Sequence, residues 1–114
     1  MRTLILMRHA KSTWSGDLSD FDRPLNARGT RSASALGNWL RANNLLPDFA
    51  IISAAKRTVE TFDELKINCP LEKKKKLYLA PSEEIFHQVR QVKANTLLVV
   101  CHNPGISEFS QGIL

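Results

Sequence analysis

Residues 3–10 read TLILMRHA: a short, almost wholly apolar run that stops at an arginine and a histidine side by side. A run this brief and this continuously apolar fits a strand covered on both faces, and such strands belong to parallel sheets with helices above and below. The same pattern returns at residues 96–102, TLLVVCH, where an apolar run again ends at a histidine. Two shorter runs, FAII at 49–52 and LYL at 77–79, read as further strands, and LILM at 4–7 is expected to be the central one.

Helical patterns separate these runs. In Ala27 to Ala42, residues Ala33, Leu36, Gly37 and Leu40 recur at helical spacing, Asn26 stands where a cap belongs, and Pro24 lies just before it. A second helix is expected from Ala55 to Lys66, turning Val59, Phe62 and Leu65 inward. A third begins at Pro81 or Ser82 and carries Ile85, Phe86, Val89 and Val92 on one face, and ISEFSQGIL at 106–114 looks like the start of a fourth. Strand and helix in alternation predict an α/β fold, a three-layer α/β/α sandwich with a mainly parallel central sheet, in one domain over residues 1–114.

The 114 residues are 43% hydrophobic and 24% charged, the balance of an ordinary globular domain. No stretch approaches the ~20 apolar residues of a membrane span, and MRTLILMRH is too quickly interrupted for a secretory signal; a cytoplasmic protein with no membrane partner is expected. Cys69 and Cys101 are far apart in sequence, and both read as reduced packing residues rather than a disulfide or a metal site. Sixteen Lys and Arg against 11 Asp and Glu leave a net charge of +5, which favours anionic partners. The lysine run Lys73 to Lys76 reads as a solvated loop leading into a strand: no aromatic residues interleave with it for base stacking, and no nucleic-acid partner is expected.

In open α/β sheets ligands gather beyond the carboxyl ends of the strands. Arg8 and His9 follow the first strand there, Arg57 opens the helix after the second, and His102 follows the last. Guanidinium forks match phosphate oxygens. Imidazole attacks phosphorus when neutral and donates to a phosphoryl oxygen when protonated. Together they describe a phosphoryl-transfer pocket with no metal and no cofactor. A metal site from His9, His87 and His102 lacks supporting ligand spacing, and cysteine-phosphatase chemistry at Cys101 would want an arginine where the chain has Ser107.

Four segments, RHA at 8–10, PLNARG at 24–29, SAAKRTVET at 53–61 and VVCHNPG at 99–105, resemble the histidine phosphatase superfamily, within it the small SixA-like phosphohistidine phosphatases. The resemblance implies a phosphoglycerate mutase-like fold and a two-step phosphatase. His9 would be the nucleophile that becomes phosphorylated, and Arg8, Arg57 and His102 would hold the transferring group. The family's chain continues past the helix begun here into further strands, so a chain lacking the last strands is expected.

Ser12 and Ser15 follow the nucleophile closely enough to bind a phosphate oxygen, and serve turn chemistry equally well. Lys11 reads as a rim charge, and Arg23 as a tether for the loop through Asp17, Asp20 or Asp22. In LYLAPSEE, where the larger relatives carry a general acid, the candidate is Glu83; first-turn charge against the helix dipole is the simpler role for it and for Glu84. A weak or absent acid favours a phosphohistidine protein as substrate, because imidazole leaves more readily than an alkoxide. The alternatives are a phosphatase of small phosphate esters and a non-catalytic phosphoprotein binder or truncated remnant.

Overall fold

A computed structural model describes residues 2–14 and 16–112. Four strands, β1 (Thr3–Arg8), β2 (Phe49–Ser53), β3 (Leu71–Lys74) and β4 (Thr96–Cys101), form one sheet in the order β1-β4-β2-β3, with every pairing parallel. Parallel neighbours need crossovers, supplied by α1 (Ala27–Ala42), α2 (Lys56–Leu65) and α3 (Ser82–Arg90); α4 (Gly105–Gly112) follows β4.

Alternation along β4 divides the core. Leu97, Val99 and Cys101 pack with Ile51, Ile85, Val89 and Phe109 on the face covered by α3 and α4. Leu98 and Val100 pack with Ala50, Ile52, Leu40, Phe62 and Leu65 under α1 and α2. This is the three-layer sandwich expected. Cys101 is a buried member of the core and Cys69 is half-buried, both as free thiols.

The surest helix has the bounds read from sequence. The Asn26 side chain accepts from the Gly29 N–H at 2.7 Å, satisfying one of the orphan donors of the first turn. Gly29 has no room for a side chain: a Cβ there would stand 2.0 Å from the Lys11 carbonyl oxygen, so the glycine lets α1 lie against the chain leaving β1. α2 starts one residue later than expected and ends where Lys66 turns left-handed.

Four expectations are corrected. The third strand is Leu71–Lys74, not residues 77–79; Leu77 ends a 3-10 turn with its side chain buried, and Leu79 has positive φ and an exposed side chain. An edge strand needs only one hydrogen-bonded neighbour and one packed face, so LEKK forms β3 without an apolar run. For the same reason the lysine run is not a loop: it ends β3 and forms the turn after it. Among the described residues β1 pairs on one side only, with Leu4, Ile5 and Leu6 half-buried, so LILM is not central; β4 and β2 fill the middle. Apolar continuity reports burial of the faces but not place in the strand order. On α3, Phe86 is exposed rather than inward and lies near Phe109, and Val92 packs from beyond the helix end. Residues 113 and 114 of the expected fourth helix lie outside the described residues.

Candidate active site

Parallel pairing sets Arg8 opposite Cys101, so the next residues, His9 and His102, leave the sheet's carboxyl edge together with ring centroids 5.3 Å apart. β2 ends beside them at Ser53, and the first turn of α2 places Arg57 between the rings. Its Nε donates to His9 Nε2 at 3.2 Å, and its Nη2 lies 3.4 Å from His102 Nδ1. All four residues expected from sequence therefore line one cavity of about 640 Å³, with Lys11, Ser12, Asp20 and Arg23 among its other walls.

Hydrogen bonds assign the tautomers. His9 Nδ1 lies 2.8 Å from the Ala10 carbonyl oxygen, which can only accept, so Nδ1 carries the proton and Nε2 keeps its lone pair. Burial lowers the His9 pKa below 6.5; the bond to Ala10 opposes that, and the fields of Arg57, Arg8 and Arg23 reinforce it. The shift favours the neutral ring at pH 7. At His102, Arg57 can only donate, so Nδ1 accepts and Nε2 donates to Ser53 Oγ at 2.8 Å. Burial first, then Arg57 and His9, hold the His102 pKa at about 3.

The loop after β1 folds back over this edge. Arg57, only 2% exposed, donates through Nη1 to the Asp20 carbonyl oxygen at 2.6 Å and through Nη2 to Asp20 Oδ2 at 3.0 Å. Arg23 grips Asp20 Oδ1 with Nε at 3.1 Å and Nη2 at 2.9 Å, and the Tyr78 hydroxyl donates to Oδ2. The Tyr78 hydrogen bond first, then those of Arg23 and Arg57, outweigh desolvation and hold the Asp20 carboxyl at about 2. Arg23 also donates to Ser12 Oγ and the Thr13 carbonyl, and its guanidinium lies 3.8 Å over the Trp14 ring. Of the three acids weighed for Arg23, Asp20 is its partner. Thr61 Oγ1 accepts from the Ala10 N–H at 3.0 Å and donates to the Arg57 carbonyl, tying the strand end that carries His9 to α2.

Ser12 reaches the cavity, but its hydroxyl serves Arg23. Ser15 lies outside the described residues. Glu83 is exposed on the first turn of α3 and does not line the cavity; Glu84 accepts from Gln88. Sequence reasoning missed Ser53, Thr61 and Tyr78, and saw Asp20 only as a tether. Ser53 and Thr61 sit inside SAAKRTVET, so the motif pointed to them, whereas Asp20 and Tyr78 carry no local signal.

Residues 4–78 match the model of the histidine phosphatase superfamily (branch 1). An uncharacterised protein of Mycobacterium tuberculosis is 40% identical over 103 residues, covering 89% of this chain and 65% of that protein. Among solved structures, the provisionally named phosphohistidine phosphatase SixA of Nakamurella multipartitia is similar with a TM-score of 0.90 at 38% identity, over 95% of this chain and 63% of that one. Its Agrobacterium tumefaciens counterpart, named in the same way, gives a TM-score of 0.91 at 25% identity, over 98% of this chain and 77% of that one. The chain belongs to the histidine phosphatase superfamily. It spans 65% of the length of the mycobacterial relative.

Proposed function

We propose that the protein is a phosphohistidine phosphatase that works through a phosphorylated His9. The observation that carries this is the His9 imidazole at the wall of a cavity shared with Arg8, Arg57 and His102, its Nδ1 proton tied to Ala10 and its Nε2 lone pair left to accept from Arg57 Nε. In the first step the Arg57 Nε–H turns its hydrogen bond from Nε2 to a phosphoryl oxygen, and Nε2 attacks phosphorus in line as the P–N bond to the substrate imidazole breaks. The bonding pair leaves with the substrate nitrogen, and a substrate ring already protonated on its other nitrogen departs neutral. The fixed cations stabilise the equatorial oxygens. In the second step water attacks phosphorus, the P–Nε2 pair returns to His9, and one proton of the water is shed to solvent.

Leaving-group chemistry supports the phosphoramidate. Among the described residues the one carboxyl group lining the cavity is Asp20, held ionised by Tyr78, Arg23 and Arg57, and an ionised carboxylate protonates nothing. An alkoxide leaving group needs that proton, while imidazole does not. The two structural relatives named as phosphohistidine phosphatases point the same way.

The test incubates wild type and His9→Ala with a phosphohistidine protein, measuring released phosphate and acid-labile phosphate on the enzyme. The alanine variant is expected to lose activity by about a thousandfold or more and to take up no label. A wild-type enzyme with neither turnover nor label would overturn the catalytic reading. Much faster turnover of sugar phosphates would overturn the choice of substrate.

A further inference from the structure

We propose that Asp20 is a positioning residue that competes with the phosphoryl group for Arg57: its carboxylate holds one edge of the guanidinium and gives that edge up to phosphoryl oxygens. The inference rests on the cavity being a phosphoryl site.

Every nitrogen of Arg57 is engaged. Nε meets His9 Nε2, Nη1 meets the Asp20 carbonyl, and Nη2 meets Asp20 Oδ2 and His102 Nδ1. A phosphoryl group arriving at His9 Nε2 needs donors from this same guanidinium. A second anion sharing Nη2 with a carboxylate at hydrogen-bond distance meets like-charge repulsion.

The two partners of that ion pair differ in freedom. Arg57 is buried and anchored through Nη1 to a backbone carbonyl, whereas the Asp20 side chain is 44% exposed. The carboxylate is therefore the group that gives way. Arg23 holds Oδ1 from the other side with two donors, so Asp20 can release Arg57 without the loop leaving the site. Tyr78 bonds the same Oδ2 that Arg57 bonds, so the carboxylate has a second, uncharged donor besides the guanidinium.

This arrangement has two consequences. Arg57 is already oriented toward His9 and His102 before phosphate binds, which limits the reorganisation that binding requires. Affinity for inorganic phosphate, the product, is held down because each binding event displaces an internal anion. Asp20 thus trades oxyanion affinity for product release.

The test titrates inorganic phosphate into the full chain by calorimetry, for wild type, Asp20→Asn, Asp20→Ser and Asp20→Glu. The Asn variant keeps the shape and removes the charge, and is expected to bind phosphate about tenfold more tightly, the scale of one partly exposed charged hydrogen bond. Asp20→Ser moves in the same direction, Asp20→Glu returns affinity toward wild type, and KM for the phosphohistidine protein falls in the Asn and Ser variants. A residue that merely shaped the loop would, on removal, loosen the cradle and weaken binding. Unchanged or weaker binding in both the Asn and Ser variants overturns the proposal. Tighter binding without turnover of any phosphorylated substrate would uphold the competition and sink the phosphatase reading; no binding by any of the four would sink both.

Discussion

His102 is 2% exposed, and burial, Arg57 and His9 together hold its pKa at about 3 against an ordinary 6.5. Lowering the pH from 7 to 5 therefore leaves the folded ring neutral while the unfolded chain's ring takes up a proton. The unfolded state binds more protons over this window, so stability falls as pH falls: it is fully present above 6.5 and is lost progressively down to about 3. Each pH unit is worth about 1.4 kcal/mol per proton, and the interval from 6.5 to 5 gives a loss of about 2 kcal/mol from His102 alone. His9, also lowered, adds a loss of the same sign, while Asp20, depressed to about 2 from 3.8, contributes only at lower pH.

Urea unfolding of wild type and His102→Asn at pH 7 and pH 5 isolates the effect. The variant will be less stable at both values, because it gives up a packed ring and its bond to Ser53. Its stability should nevertheless fall between pH 7 and 5 by about 2 kcal/mol less than that of wild type. Equal losses in the two proteins would refute the reasoning: the ring would then titrate alike folded and unfolded, and the tautomer assigned from Arg57 and Ser53 would lose its basis.

Replacing Ser53 with Ala strands the buried His102 Nε2–H, at a cost of about 1–3 kcal/mol in unfolding free energy. It also loosens the ring beside the phosphoryl site, with an expected drop in single-turnover rate of about tenfold; an unchanged rate would show that His102 needs no such support. At Gly37, alanine should destabilise despite its better helix propensity, because its Cβ would stand 2.2 Å from the Leu65 carbonyl oxygen where α1 meets α2. Overpacking of about 1–3 kcal/mol exceeds a propensity gain of about 1, so a thermal melt should show a lower Tm, and a higher one would mean that the helices part without loss.

The sequence was most legible where local physics decides. α1 could be read to the residue because a cap, a preceding proline and helical spacing all lie within its own segment. β2 and β4 were visible because strands buried on both faces must be apolar throughout. Four catalytic candidates followed from the placement of chemistry-bearing side chains where strands end, and the fold brings all four to one cavity. β3 was misplaced because a solvated edge strand carries no such signature, its existence resting on backbone pairing with β2.

Asp20 shows the limit from the side of the site. Nothing near it distinguishes it from Asp17 or Asp22; its role comes from Arg57, 37 residues on, and Tyr78, 58 residues on. By itself the sequence determined the alternation of strand and helix, the apolar core, and the delivery of His9 and His102 to strand ends, because hydrophobic periodicity and capping act within a few residues. Tertiary structure alone decided which strand lies at the edge, which nitrogen of each histidine holds its proton, and which carboxylate faces Arg57. Those are outcomes of pairing between distant segments, and hydrogen-bond geometry and burial exist only once the segments have met.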